Sequence, residues 1–133
     1  TYEGVLETNI AGLGQSTVIG IGDDMIVGTD YRELMDKFMQ DDETKALVLL
    51  GKTDSLYEQI ASEYYETLPQ KKPIIALIVG EAMPHNHIMG YAGDIITHGR
   101  ITVADKKKML QRAGMIVVDS INQIHEELQK LKL

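Results

Sequence analysis

Apolar positions along the chain fall into two rhythms, one helical and one of short unbroken runs. Residues 1–13 carry Tyr2, Val5, Leu6, Ile10 and Leu13 at helical spacing, with Gly14 as the terminator. Residues 17–21 form a short β-branched run and read as a strand, followed by a turn at Gly22-Asp23-Asp24. A second helix is predicted over 31–40, capped by Asp30, with the stripe Tyr31, Leu34, Met35, Phe38 and Met39. Residues 46–50 are continuously apolar, the mark of a strand covered on both faces. Ser55 and Glu58 have capping-box spacing and open a helix to about residue 68, with Leu56, Ile60, Ala61 and Tyr64 inward. Residues 73–79 are the next buried strand. Thr102 caps a helix through Ala113, which Gly114 ends, and residues 115–118 form a fourth strand. Ser120 and Gln123 form another capping box, ahead of a helix presenting Ile121, Ile124, Leu128 and Leu131 on one face.

Buried strands alternating with amphipathic helices imply an α/β fold with a parallel sheet covered by helices on both faces. Flavodoxin-like winding is the expected topology for a single domain over residues 1–133. Such a fold normally starts with a strand, whereas this chain starts inside a helix. That first strand belongs in the sheet's interior, and without it two neighbours keep unpaired backbone groups in a dry region. The expectation is therefore that another chain's strand fills the gap, that the strands are ordered differently, or that an earlier segment has been removed. The start at Thr1, with neither methionine nor signal-like segment, reads as a cut or processed end.

Composition narrows the function classes. The 133 residues are 44% hydrophobic and 25% charged, a globular balance sized for one core. A net charge of −7 disfavours nucleic acid and anionic membrane surfaces, and Lys106-Lys107-Lys108 is too short to reverse that. There is no cysteine, hence no disulfide, thiolate zinc site or cysteine nucleophile, in keeping with a reducing, cytoplasmic setting. No apolar run approaches membrane-spanning length.

Chemistry is expected in the stretch Met89-Gly90-Tyr91-Ala92-Gly93-Asp94-Ile95-Ile96-Thr97-His98-Gly99-Arg100. It is a glycine-punctuated loop of about a dozen residues, longer than an ordinary strand–helix connection. His98 is a candidate nucleophile there, against an exposed loop histidine. His85 and His87 with His98 are candidate metal ligands, but no carboxylate joins them at ligand spacing, so no metal site is assigned. Gly51-Lys52-Thr53 resembles the end of a phosphate-binding P-loop, yet the required earlier glycine is Ala46. Asp23-Asp24 follows a strand end, where ligands of parallel sheets sit, and reads as a solvated turn or a metal contact.

Several segments resemble the C-terminal ligase domain of the succinyl-CoA synthetase alpha subunit. They are Thr1-Tyr2-Glu3, Gly14-Gln15-Ser16-Thr17 with Ile19-Gly20-Ile21-Gly22, Gly28-Thr29 and Asp42-Glu43-Thr44. Lys72-Pro73, Met89-Gly90 with Ala92-Gly93 and Ile95-Ile96, Thr102, Lys106 and Ala113-Gly114 complete the series in order. The resemblance implies phosphoryl transfer through a histidine in a Met-Gly-His-Ala-Gly loop, steadied by a glutamate in a Gly-Glu-Ile-Gly-Gly turn. Phosphate would rest on helix N-termini. It further implies an ATP-grasp beta-type partner that brings ATP or GTP with Mg, and an upstream Rossmann-like domain that binds CoA. None of these cofactors is expected to be held by this chain alone, and a homo-oligomer is compatible with the reading.

The chain departs from that pattern at its reactive positions. Tyr91 stands at the histidine position and Lys52 at the glutamate position. Asp94 replaces a small residue, and His98-Gly99-Arg100-Ile101 replaces a Gly-Gly-Lys-Gly turn. Gly90, Ala92 and Gly93 keep the loop's glycine framework, and Gln15, Ser16 and Thr17 keep a candidate phosphate-side segment. A phenol with pKa near about 10 is a poor phosphoryl relay at neutral pH. The expected function is thus an acyl-CoA ligase domain with a degenerate phosphohistidine site. The alternatives are a non-catalytic assembly or acyl-CoA-responsive module of the same fold, and an unrelated flavodoxin-like small-ligand domain.

Overall fold

The computed structural model describes residues 1–22, 26, 28–52, 55–80 and 102–133. Its elements run α1 (Tyr2–Ile10), α2 (Tyr31–Gln40), β1 (Leu47–Lys52), α3 (Tyr57–Thr67), β2 (Ile74–Val79), α4 (Val103–Arg112), β3 (Ile116–Val118) and α5 (Gln123–Lys130). The strands form one parallel sheet in the order β1-β2-β3, with Leu47 opposite Ile74 and Ile75 opposite Ile116. β2 is the central strand, which explains its unbroken apolar run: Ile74, Ala76 and Ile78 enter one core and Ile75 and Leu77 the other. Met35, Ala61, Tyr65 and Leu110 from α2, α3 and α4 cover the first face. Ile124 and Leu128 of α5 cover the second, beside Val48 and Leu50. Each fully buried isoleucine stabilises the fold by roughly 1.5–3 kcal/mol relative to exposure. Helices on both faces of a parallel sheet make this the flavodoxin-like α/β fold that the alternation predicts.

Two helix ends show the local chemistry well. Thr102 caps α4 by accepting the Asp105 N–H at 3.1 Å. Gly114, at φ +94°, ends it, with Gly114 N–H donating to Gln111 O and Met115 N–H to Leu110 O, each at 3.0 Å. The same double bond closes α1, where Gly12 at φ +82° donates to Asn9 O and Leu13 N–H to Thr8 O. The terminator of α1 is therefore Gly12, two residues before Gly14, and the helix is shorter than its apolar spacing suggests.

Three further expectations are corrected. Residues 17–21 form no strand. A β-branched run becomes a strand only against a partner, and no strand among the described residues pairs with it; Val18 and Ile19 stay exposed. The apolar stripe of α1 does not face the core: Tyr2, Leu6 and Ile10 are exposed, and Gly4 and Glu7 are buried. Gly4 is the close-contact point, since a Cβ there would lie 2.9 Å from Leu50 Cδ1. In α3 the helix starts at Tyr57, Leu56 is exposed, and Tyr65 takes the core position with Tyr64 half-buried.

Candidate functional site

Ligands of open parallel sheets gather at the C-terminal strand ends, and the end of β1 is where this chain concentrates buried charge. Glu58, on the first turn of α3, turns away from the Ser55 backbone that a capping box would have it serve. Its Oε1 accepts the Lys52 N–H at 3.1 Å and its Oε2 faces Lys106 Nζ at 3.0 Å. Ser55 instead stabilises the helix start alone, its Oγ accepting the Tyr57 N–H at 3.0 Å. Lys106, reaching in from α4, also donates to Lys52 O at 2.7 Å and to Ser55 O. Both side chains are sealed from solvent. One cation and one carboxylate thus hold the end of β1 at Lys52 and the residue Ser55 ahead of α3.

Gly51 makes this possible. A Cβ at that position would sit 2.6 Å from Glu58 Cγ and Oε1 and 2.8 Å from Ile78 Cδ1. Gly51 and Lys52 are strand residues, so this segment is not the cradle of a phosphate-binding loop. Burial, with the Glu58 charge second, pushes the neighbouring Tyr31 phenol up to about 12.

A cavity of about 710 Å³ runs beside β1, lined by the strand itself, by residues 13–22, and by Tyr31, Leu34 and Phe38 of α2. It brings together four sequence-predicted site residues, Gln15, Ser16, Thr17 and Lys52. Gln15 folds back on α1, its Nε2 donating to Asn9 Oδ1 at 2.9 Å and to Thr8 Oγ1. Ser16 Oγ and Thr44 Oγ1 are hydrogen-bonded at 2.7 Å, and Thr44 Oγ1 donates to Asp41 Oδ2 at 2.6 Å. Those bonds to Thr44 and Asn9 tie the segment to the fold. Thr17 is exposed on the cavity wall.

Gly90, Tyr91, Ala92 and Gly93 lie outside the described residues, as do His85, His87, Asp94, His98, Asp23 and Asp24. Among the described residues no group of three or more His, Asp or Glu is placed to hold a metal ion. No described helix is long and apolar enough to cross a membrane.

The Glu58–Lys106 pair escapes a reading by motif. Glu58 is absorbed into a capping box, and Lys106 enters as a matched position of the family resemblance with no role attached to it. The available signal is periodicity: Lys106 lies three residues after Val103 and four before Leu110, on the inward face of α4.

A family model described as CoA-ligase matches residues 1–117. The chain is 37% identical over 131 residues to the alpha subunit of an ADP-forming succinate–CoA ligase from Aquifex aeolicus, covering 98% of this chain and 43% of that subunit. A second such alpha subunit, from Methanothermobacter thermautotrophicus, is 37% identical over 97% of the chain and 43% of its own length. The alpha 2 subunit from Archaeoglobus fulgidus is 41% identical over 86% of the chain and 39% of its own length. The chain therefore spans less than half of the curated relatives it matches. Among solved structures, ATP citrate lyase from Methanothrix soehngenii, in complex with citrate and coenzyme A, superposes with a TM-score of 0.67. That match has 20% identity and covers 83% of this chain and 18% of the lyase, a likeness of fold.

Proposed function

Since the chain belongs to the CoA-ligase family, we propose that it is the ligase domain of an alpha-type subunit of a nucleotide-dependent acyl-CoA synthetase, with a phosphohistidine site that has lost its relay. The observation that carries this reading is the paired substitution: Tyr91 stands where the resembled family has its histidine, and Lys52 where it has its glutamate. A phenol near its ordinary pKa of about 10 holds little nucleophilic anion at neutral pH, and a lysine cannot orient an imidazole by accepting its proton. Other elements of the site support retention of the fold for a purpose. The end of β1 at Lys52 is still held by Glu58 and Lys106, and Gly90, Ala92 and Gly93 keep the sequence's small residues.

On this reading CoA, and ATP or GTP with Mg, are held outside this chain. A Rossmann-like domain of the intact subunit takes CoA and an ATP-grasp beta-type partner takes the nucleotide. The domain's own work is to dock that partner and to present the loop at 90–93 to an acyl-CoA or a phosphate. The paired loss favours a second reading as well, an assembly or acyl-CoA-responsive module that performs no transfer.

Incubating the intact subunit and its partner with ATP labelled at the γ-phosphate tests the proposal. No acid-labile, base-stable label on the alpha-type chain, with partner binding retained, is the expected result. Tyr91→His combined with Lys52→Glu is expected to restore a labelled histidine. A label on His98 of the unaltered protein would show that the relay has moved and is not lost.

A further inference from the structure

We infer that the Glu7–His125 contact is a pin that sets the rotation of α1 and, through it, the placement of Gln15, Ser16 and Thr17, so that both residues are positioning residues for that segment. Glu7 Oε2 lies 2.6 Å from His125 Nδ1, joining α1 to α5. The Glu7 side chain is 6% exposed and that of His125 25%. Glu7 has no other side-chain hydrogen bond or ion pair among the described residues. A carboxylate can only accept, so the ring donates through Nδ1. Neither residue belongs to the segments that carry the family resemblance, and His125 lies outside residues 1–117, which the family model matches.

Apolar burial does little to fix how α1 is turned. Its large apolar residues Tyr2, Leu6 and Ile10 are exposed. Its close approach to the sheet is at Gly4, where a Cβ would lie 2.9 Å from Leu50 Cδ1. A glycine contact is a pivot, and Glu7, three residues on, holds the helix at one angle about it. Gln15 senses that angle. Its Nε2 faces Val5 O at 3.4 Å, Asn9 Oδ1 at 2.9 Å and Thr8 Oγ1. Positions 5, 8 and 9 stand at i, i+3 and i+4 spacing, on one face of the helix. A turn of α1 about its axis would take all three acceptors from Gln15 together. Ser16 makes the next tie. Thr44 Oγ1 uses its single proton on Asp41 Oδ2, so it accepts from Ser16 Oγ, at 2.7 Å. Residues 14–22 make no backbone–backbone hydrogen bond among the described residues. Side chains alone therefore string the segment between α1 and Thr44, and its first residue follows α1. Ser16 and Thr17, on the wall of the cavity, follow in turn.

The consequence for chemistry rests on the reading of residues 15–17 as the phosphate side of the proposed site, and the placement itself is tested apart from it. NMR on the intact subunit separates the two. His125→Leu removes the donor. It is expected to abolish the contact between the Gln15 side-chain amide protons and Asn9, and to speed exchange of those protons about tenfold. The backbone amides of Ile75 and Leu77 in β2 should keep their parent rates. His125→Asn, whose amide nitrogen can fall where Nδ1 lies, is expected to restore the Gln15 contact, a rescue that lost packing would not show. Glu7→Gln keeps an oxygen acceptor and should behave as the parent. An intact Gln15 contact in His125→Leu, no rescue by His125→Asn, or an equal rise in exchange at Ile75 and Leu77 would each overturn the inference. Should His125→Leu not fold, the unaltered protein decides: the Gln15 side-chain protons and the His125 Nδ1–H should share one urea dependence of exchange, and separate dependences overturn the pin. Inorganic phosphate added to the parent is expected to shift the Ser16 and Thr17 amides. If it does not, while the variants behave as above, the phosphate reading fails and the pin stands.

Discussion

Lys106 Nζ lies 3.0 Å from Glu58 Oε2, with the two side chains only 2% and 3% exposed. The residues come from α4 and α3 and meet at the end of β1. Removing one partner leaves the other charge buried without its counter-ion, which typically costs about 3–5 kcal/mol. Lys106→Met is expected to destabilise by that order, and to orphan the Lys52 and Ser55 carbonyls as well. Replacing both, with Lys106→Met and Glu58→Leu, is expected to cost less than the sum of the single changes. Urea denaturation of the three variants measures this. Single variants within about 0.5 kcal/mol of the parent would mean that the pair is solvated and structurally idle.

Gly51 and Glu58 form a linked contact. With only 2.6 Å between a Cβ at Gly51 and the Glu58 side chain, Gly51→Ala must displace the carboxylate from the Lys52 N–H. The expected cost is about 1–3 kcal/mol, in the range of overpacking. The cost should shrink in a Glu58→Leu, Lys106→Met background, where there is no ion pair left to disturb. Equal penalties in both backgrounds would place the clash on Ile78 instead.

How much of this was legible beforehand differs by element. α2 was readable because all of its information is local: Asp30 accepts the Glu33 N–H at 3.0 Å, and Tyr31, Met35 and Met39 of its stripe pack in the core. β2 was readable because a central strand is apolar on both faces. Residues 17–21 misled because β propensity measures fit to a neighbour, and no strand among the described residues pairs with them. α1 misled because spacing identifies a face without saying what covers it. Its real anchors are Gly4 against Leu50 and Glu7 Oε2, 2.6 Å from His125 Nδ1 of α5, contacts no local pattern encodes. At the site, Lys52 and Lys106 both fall within the family resemblance, but the contact of Lys106 with Glu58, 48 residues away in the chain, forms only in the folded protein.

The alkaline limb of stability should report Tyr31. Its phenol is pushed up to about 12, by burial first and by the Glu58 charge second. The unfolded value is about 10, so the folded state favours the neutral form. That contribution is complete below pH about 10 and is lost as pH rises through about 12. Tyr31→Phe keeps most of the packing and removes the titration, so its urea midpoint should fall less steeply across that window than the parent's. Parallel curves for the two proteins would rule out Tyr31 as the source.

The end of α1 gives a sharp contrast between two glycines that the sequence does not distinguish. Gly12 holds φ +82° and closes the helix with two backbone bonds, from Gly12 N–H to Asn9 O and from Leu13 N–H to Thr8 O. A Cβ there meets nothing within 4 Å, so the penalty for substitution is conformational alone. Gly12→Ala is expected to cost about 1–2 kcal/mol, the price of placing an L-residue in the left-handed region. Gly14 has no positive φ and equally open surroundings. Gly14→Ala should therefore be neutral or stabilising by about 0.4–1 kcal/mol, through the lower entropy of the unfolded chain. Thermal melts of the two variants separate the cases: a larger loss at Gly14 than at Gly12 would return the helix terminus to residue 14.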